Sequence, residues 1–269
     1  MSRKIDRTGE INISNEGCIM KIVEYNNIHD IIIEFQDEHK CRVHTQYGNF
    51  KNGVCKNPFY PSVCGHGYLG VDKEGNVPKV NEFKDGKWVQ TWEYNKWMNM
   101  LQRCFDDKCK EKHPTYKDVT CCERWLCFAN FLEDFEVLKQ EYSWNKDEKL
   151  TLDKDILHKG NKIYNLENCI LVPDWINKLF TKRDNDRGSY PVGVTYHKQC
   201  KKYEAQCNIN GKRKGLGLYN TMEEAFNAYK QAKEQEIKRV ADECVSKGYI
   251  TKDSRLYKAM INYQVEIAD

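Results

Sequence analysis

The chain has 269 residues, of which 43 are basic and 40 acidic, and a net charge of +3 so close to balance does not by itself indicate a polyanionic partner; what matters is where the positive charge lies. A hydrophobic content of 40% with 12% aromatic residues is ample for packed cores, and the length exceeds the usual single domain, so two or three compact units are expected. No apolar run approaches the roughly 20 residues a membrane helix needs and the opening MSRKIDRTGE holds no apolar signal core, which excludes a membrane span from the reading and points to a soluble, intracellular protein.

Residues 1–70 read as short strands over 18–25, 30–35 and 41–45, separated by Asn26-Asn27 and by the polar Gln36-Asp37-Glu38. The segment ends in Gly53, Asn57-Pro58, Pro61 and Gly65-His66-Gly67, all chain punctuation. A small β-rich accessory or protein-contact module is expected there, and His39, His44 and His66 show no metal-ligand spacing. Residues 71–91 are rich in Gly, Lys and Asp and read as a linker or weak hairpin.

From Trp92 the apolar period becomes helical, with Trp97, Leu101, Cys104, Tyr94, Met98 and Phe105 making one broad face, and His113-Pro114-Thr115 breaks that helix. Thr120 and Glu123 fit a capping box, which predicts a second helix carrying Trp125, Phe128, Leu132 and Phe135 toward a core. The 13 cysteines are odd in number and include no Cys-x-x-Cys pair, so reduced side chains are expected, and the cluster Cys104, Cys109, Cys121, Cys122 and Cys127 fits no common zinc pattern.

Residues 149–180, KLTLDKDILHKGNKIYNLENCILVPDWINKLF, carry strand, loop, strand, helix punctuation. Leu150 and Leu152 alternate toward a core, Gly160-Asn161 interrupts the chain, a second strand runs from Asn168 through Val172, and Pro173 opens a short helix bearing Asn177. Asp153 and Asp155 are hard-oxygen donors at alternate positions on one face; they suit Mg²⁺, and equally suit a charged solvent face. The stretch resembles the ββα-metal (HNH) nucleases, and residues 92–180 resemble the HNH-like proteins of tailed phages, in which a Trp-rich helix pair precedes Leu-Asp-Lys-Asp-Ile and Gly-Asn-Lys. The resemblance implies metal ligands at Asp153, Asp155 and Asn177 and a hairpin brace at Asn168. It also implies a phage-encoded protein of the host-cell cytoplasm, possessing, if active, a Mg²⁺-dependent homing-type endonuclease activity. The family's general-base histidine falls at Lys154 or Asp155, neither of which replaces an imidazole near neutral pH. His158 is then the one nearby imidazole, read either as a displaced catalytic base working with Asp155 or as a solvated turn residue. The two helices of residues 92–135 are expected to buttress the hairpin, which alone is too small to bury a core.

Residues 181–189, TKRDNDRGS, have linker composition. Strands are expected over 191–197, 202–209 and 214–219, with Tyr203, Ala205, Cys207 and Ile209 on one face, Leu216 and Leu218 inward, and an Asn210-Gly211 hairpin turn. Thr221 and Glu224 form a capping box that opens a long helix through about Cys244. The junction Leu-Gly-Leu-Tyr-Asn-Thr-x-Glu-Glu-Ala-x-x-Ala-Tyr resembles the DNA-binding domain of plant ethylene-response factors, whose sheet contacts bases and phosphates. Six basic residues, Lys198, Lys201, Lys202, Lys212, Arg213 and Lys214, gather there against the single acidic Glu204. Arg213 and Gln206 are the candidate readers of guanine and adenine, Lys198, Lys202, Lys212 and Lys214 position on phosphate, and His197 and Asn208 can join them. The bland alternative is a solvated basic face. Leu256, Met260 and Tyr263 mark a short amphipathic segment capping a core.

The expected architecture is α+β: a small β module (1–70), a linker (71–91), an HNH-like domain (92–186) of a helix pair plus hairpin and helix, and a DNA-binding domain (187–269) with a three-stranded antiparallel sheet on one long helix. Expected partners are double-stranded DNA and, in the alternative reading of an inactive viral regulator or counter-defence inhibitor, a host defence protein.

Overall fold

A computed structural model describes residues 5–180 and 190–267. The linker expected over 181–189 lies outside the described residues. The chain is α+β and divides into two compact units, residues 1–136 with 162–165 and residues 137–161 with 166–269.

The first unit opens with an antiparallel sheet in sequential order, β1 (Ile11–Ile13), β2 (Ile19–Asn27), β3 (Asp30–Phe35) and β4 (Arg42–Thr45), followed by the short helix α1 (Tyr47–Lys51). Met20, Ile22, Ile31, Ile33 and Phe35 alternate onto one face and close against Phe50 from α1. A separate two-stranded ribbon, β5 (Asn81–Lys84) and β6 (Lys87–Gln90), turns at Asp85-Gly86, both residues at positive φ as a type I′ turn requires. Helix α2 (Trp92–Phe105) is capped by the Thr91 hydroxyl and buries Trp97, Met100, Leu101 and Cys104. After α3 (Asp107–Lys112) and one 3₁₀ turn at Pro114, Thr120 enters a two-residue strand, β7 (Thr120–Cys121), paired in parallel with β9 (Ile163–Tyr164). The capping box read at Thr120 and Glu123 therefore does not form: Thr120 donates its backbone N–H across strands to Lys162, and the helix begins later, as α4 (Phe128–Gln140). Of the expected stripe Trp125, Phe128 and Phe135 are fully buried and Leu132 is half-buried, with Phe131, which was not expected, fully buried in its place; Trp97 of α2 is fully buried as well. Trp125 Nε1 donates to Asp134 at 2.7 Å and Trp97 Nε1 to the Trp125 carbonyl at 2.7 Å, so both indoles are satisfied.

In the second unit β8 (Leu150–Asp153) pairs antiparallel with β10 (Ile170–Pro173), which runs into α5 (Asp174–Phe180). The C-terminal sheet is β11 (Val194–His197), β12 (Lys202–Ile209) and β13 (Lys212–Tyr219), in that order. It packs on the 25-residue helix α6 (Met222–Ser246), whose Thr221-Glu224 capping box is complete. Helix α7 (Arg255–Ile261) follows and buries Leu256 and Met260. Within its own unit one face of the hairpin is covered by the C-terminal helices. Ile170, Val172 and Ile176 are covered by Ile237, Val240, Ala241 and Cys244 of α6 and by Leu256 and Met260 of α7. A 25-residue helix is about 38 Å long, more than a three-stranded sheet covers, so its second half carries apolar residues for another partner.

Candidate nucleic-acid interface and the degenerate hairpin

Strand alternation and register decide which C-terminal side chains share a surface. Val194, Ala205 and Cys207 are buried against Ala225, Phe226 and Tyr229 of α6. The opposite face of the sheet then presents His197, Lys202, Glu204, Gln206 and Asn208 together with Arg213, which sits directly across from Asn208. Arg213 Nε donates to Gln206 Oε1, so the two candidate base readers are already oriented side by side. Lys198 lies in the turn after β11, while Lys212 and Lys214 stand opposite Ile209 and Cys207 and so leave the edge strand on its other side. Among the described residues none of the six cations has an acidic partner within ion-pair distance. His197 Nδ1 is enclosed without a hydrogen-bond partner.

A bulge between Ala205 and Gln206 makes Leu216 the extra residue of β13 and reverses the parity beyond it. Leu218, expected to face inward, consequently lies opposite Glu204 on the outer face, 45% exposed. Only the doublet Gly215 and Gly217 hinted at this shift, since glycine within a strand often marks a bulge.

Two devices hold this face. Gly193 has φ +75° and its Cα passes so close to Tyr229 that a Cβ there would lie 2.1 Å from the ring, which seats the first strand on α6. At the other end Glu236 of α6 accepts the Asn210 N–H at 2.8 Å, tying the Asn210-Gly211 turn to the helix. Its bidentate pair with Arg239 holds the Glu236 carboxyl below its ordinary range despite burial.

The β8–β10 hairpin is built differently from a metal site. Asp153 Oδ1 accepts the N–H groups of Asp155 and Ile156 at 2.9 and 2.8 Å, closing the turn that follows the strand. Burial, and then the adjacent Asp155 carboxylate, push Asp153 up to about 6. Lys154 is buried; its ammonium donates to Asp155 Oδ2 at 3.0 Å and to the Asn161 carbonyl at 3.1 Å. Asn161 Nδ2 returns a bond to the Lys154 carbonyl at 2.7 Å, and Asn168 Nδ2 donates to Asn161 Oδ1 at 3.2 Å, so Asn168 sits one step behind the loop it was expected to brace. His158 is exposed in the turn, where its carbonyl accepts the Asn161 N–H at 2.9 Å, and Asn177 is half-buried on α5.

Among the described residues no group of three or more His, Cys, Asp or Glu side chains is placed to hold a metal ion. The donors present do not fit Mg²⁺: one Asp153 oxygen is committed to two backbone amides, and the Asp155 charge is answered by a fixed ammonium. The chemistry of this site is that of an internal ion pair closing a loop.

Among the described residues no helix is long and apolar enough to cross a membrane. Comparison of the chain with protein-family models, with curated proteins and with solved structures finds no match.

Proposed function

We propose that this chain is a viral DNA-binding protein of the host-cell cytoplasm, in which the β11–β13 sheet docks in the major groove of double-stranded DNA and the β8–β10 hairpin is a catalytically silent, nuclease-like scaffold. The observation that carries the reading is the outer sheet face. It gathers Lys202, Gln206, Asn208 and Arg213, with His197 beside them, leaves its cations without acidic partners, and is rigidly backed by α6. A groove-docking sheet needs amide and guanidinium groups toward base edges and lysines toward phosphates, and this face supplies both. Lys198, in the turn after β11, is the further lysine beside this face, whereas Lys212 and Lys214 leave the edge strand on the α6 side.

The test is titration of labelled duplex DNA with the full chain. Arg213→Ala is expected to cost about 1 to 3 kcal/mol and to relax sequence preference, whereas Lys202→Gln weakens all sequences alike and lowers the salt slope by about 1. Unchanged affinity for both variants overturns the groove-docking reading. The silent-hairpin part is tested with supercoiled plasmid and Mg²⁺ or Mn²⁺: nicking that an Asp153→Ala/Asp155→Ala variant abolishes overturns it. A host protein retained in stoichiometric amount after nuclease treatment of an extract would place the counter-defence role in front of DNA reading.

A further inference from the structure

One carboxylate stands on the outer face of the β11–β13 sheet, and nothing in that sheet answers its charge. Register places Glu204 across from Thr195 on one side and Leu218 on the other, with Lys202 and Gln206 next on the same face of its own strand. Among the described residues Glu204 has no hydrogen bond or ion pair, although Lys202 is only two residues away. The guanidinium on this face, Arg213, donates to Gln206 instead. Gly215 stands across from Gln206, and a Cβ there would lie 3.7 Å from Glu204 Oε1. The half-buried carboxylate therefore leans over the middle of the β12–β13 pair, where the glycine leaves the face open. A free carboxylate on a face that meets a phosphate-lined groove is repelled unless the groove offers it a donor. In the major groove only the amino groups of cytosine and adenine donate, while guanine and thymine present acceptors. Adenine sets the acceptor N7 beside its amino group, which a carboxylate cannot satisfy; cytosine offers N4 alone.

We infer that Glu204 selects a cytosine in the duplex target, its carboxylate accepting from the N4 amino group. The inference rests on the groove-docking reading of the sheet and names part of the sequence that the sheet selects. Glu204 supplies both a contact and a penalty: with guanine or thymine at that position its charge meets only acceptors, so it contributes selectivity more than affinity. Arg213 has Nε committed to Gln206, which leaves its two terminal amino groups for the O6 and N7 of a guanine. Glu204 and Asn208, the residue across from Arg213, are separated by about 13 Å of strand, so the cytosine and the guanine lie about two to four base pairs apart.

The experiment selects binding sites for the full chain from a library of randomised DNA duplexes, then titrates the selected duplex beside counterparts that carry each other base at the cytosine position. The parent is expected to select a cytosine at a position whose preference Arg213→Ala leaves intact. Glu204→Ala is expected to lower affinity for the cytosine duplex about tenfold and to raise it for the guanine and thymine duplexes, which lose a repulsion. Glu204→Gln keeps the shape of the side chain and gains an N–H donor; it is expected to exchange cytosine for adenine, whose N6 and N7 an amide meets together. A merely solvated carboxylate behaves otherwise: its removal raises affinity for every duplex by one factor, and that result overturns the inference. So does a parent that selects no cytosine, or a Glu204→Gln variant with the parent's base preference. If Arg213→Ala and Lys202→Gln bind like the parent, the sheet reading itself has failed. If they weaken binding while both Glu204 variants keep the parent's preference, this inference alone has failed.

Discussion

Replacing Asp153 with asparagine is expected to stabilise the hairpin at neutral pH, the reverse of what removing a hydrogen-bonded carboxylate usually does. Asparagine keeps the Oδ1 acceptor for the amides of Asp155 and Ile156 and deletes only the charge. The carboxyl sits at about 6 against an ordinary 3.8, so between those values the folded chain holds a proton that the unfolded chain has released, and stability falls as pH rises through that window. At 1.36 kcal/mol per pH unit the full cost above pH 6 is about 3 kcal/mol, an upper bound because Asp155 supplies part of it through its own charge. Below about pH 4 the acid is protonated in both states and the two proteins should match. Hydrogen exchange of the β8 and β10 amides reads the hairpin's own opening, which is needed in a chain of two compact units. The expected result is a gap between variant and parent that opens from pH 4 to 6 and then stays constant. A gap independent of pH, or a parent more protected than the variant at pH 7.5, refutes the reasoning.

Lys154→Met, nearly equal in volume, removes the ammonium that answers Asp155 and the Asn161 carbonyl, and should cost about 2 kcal/mol in hairpin protection, consistent with charged hydrogen bonds. Arg255 spans the start of α7 and the chain before β10: it forms a bidentate pair with Glu141 and donates to the carbonyls of Leu166, Glu167 and Cys169. Arg255→Lys should lose about 1 to 2 kcal/mol and Arg255→Met more, measured by denaturant midpoint, since an ammonium cannot reproduce the fork. Gly193→Ala adds a Cβ that collides with the Tyr229 ring at a φ of +75° and should cost about 3 kcal/mol or more, seen as loss of the C-terminal sheet's exchange protection.

The local signals determined a good deal unaided. The Asn210-Gly211 turn set the β12–β13 hairpin, the Thr221-Glu224 box set the start of α6, and period-2 patterning located β2, β3 and the inward set of Ala205 and Cys207. Each is an interaction among residues within a few positions of one another, so the sequence carries it whole. Three things required the folded chain. Thr120 looked like a helix cap and became a parallel strand because its partner, Ile163, is 43 positions away and no local pattern announces such a pairing. Leu218 changed face because one extra residue in β13 reversed every side chain beyond it. Ile170, Val172 and Ile176 found their cover on α6 and α7, since apolar stripes state only that a face must be buried, while chain connectivity and surplus helix length select what buries it. The same holds for Asp153, Lys154 and Asp155: residue types alone did not show that the Lys154 ammonium is buried between Asp155 and the Asn161 carbonyl, with Asn168 bonded to Asn161 behind it.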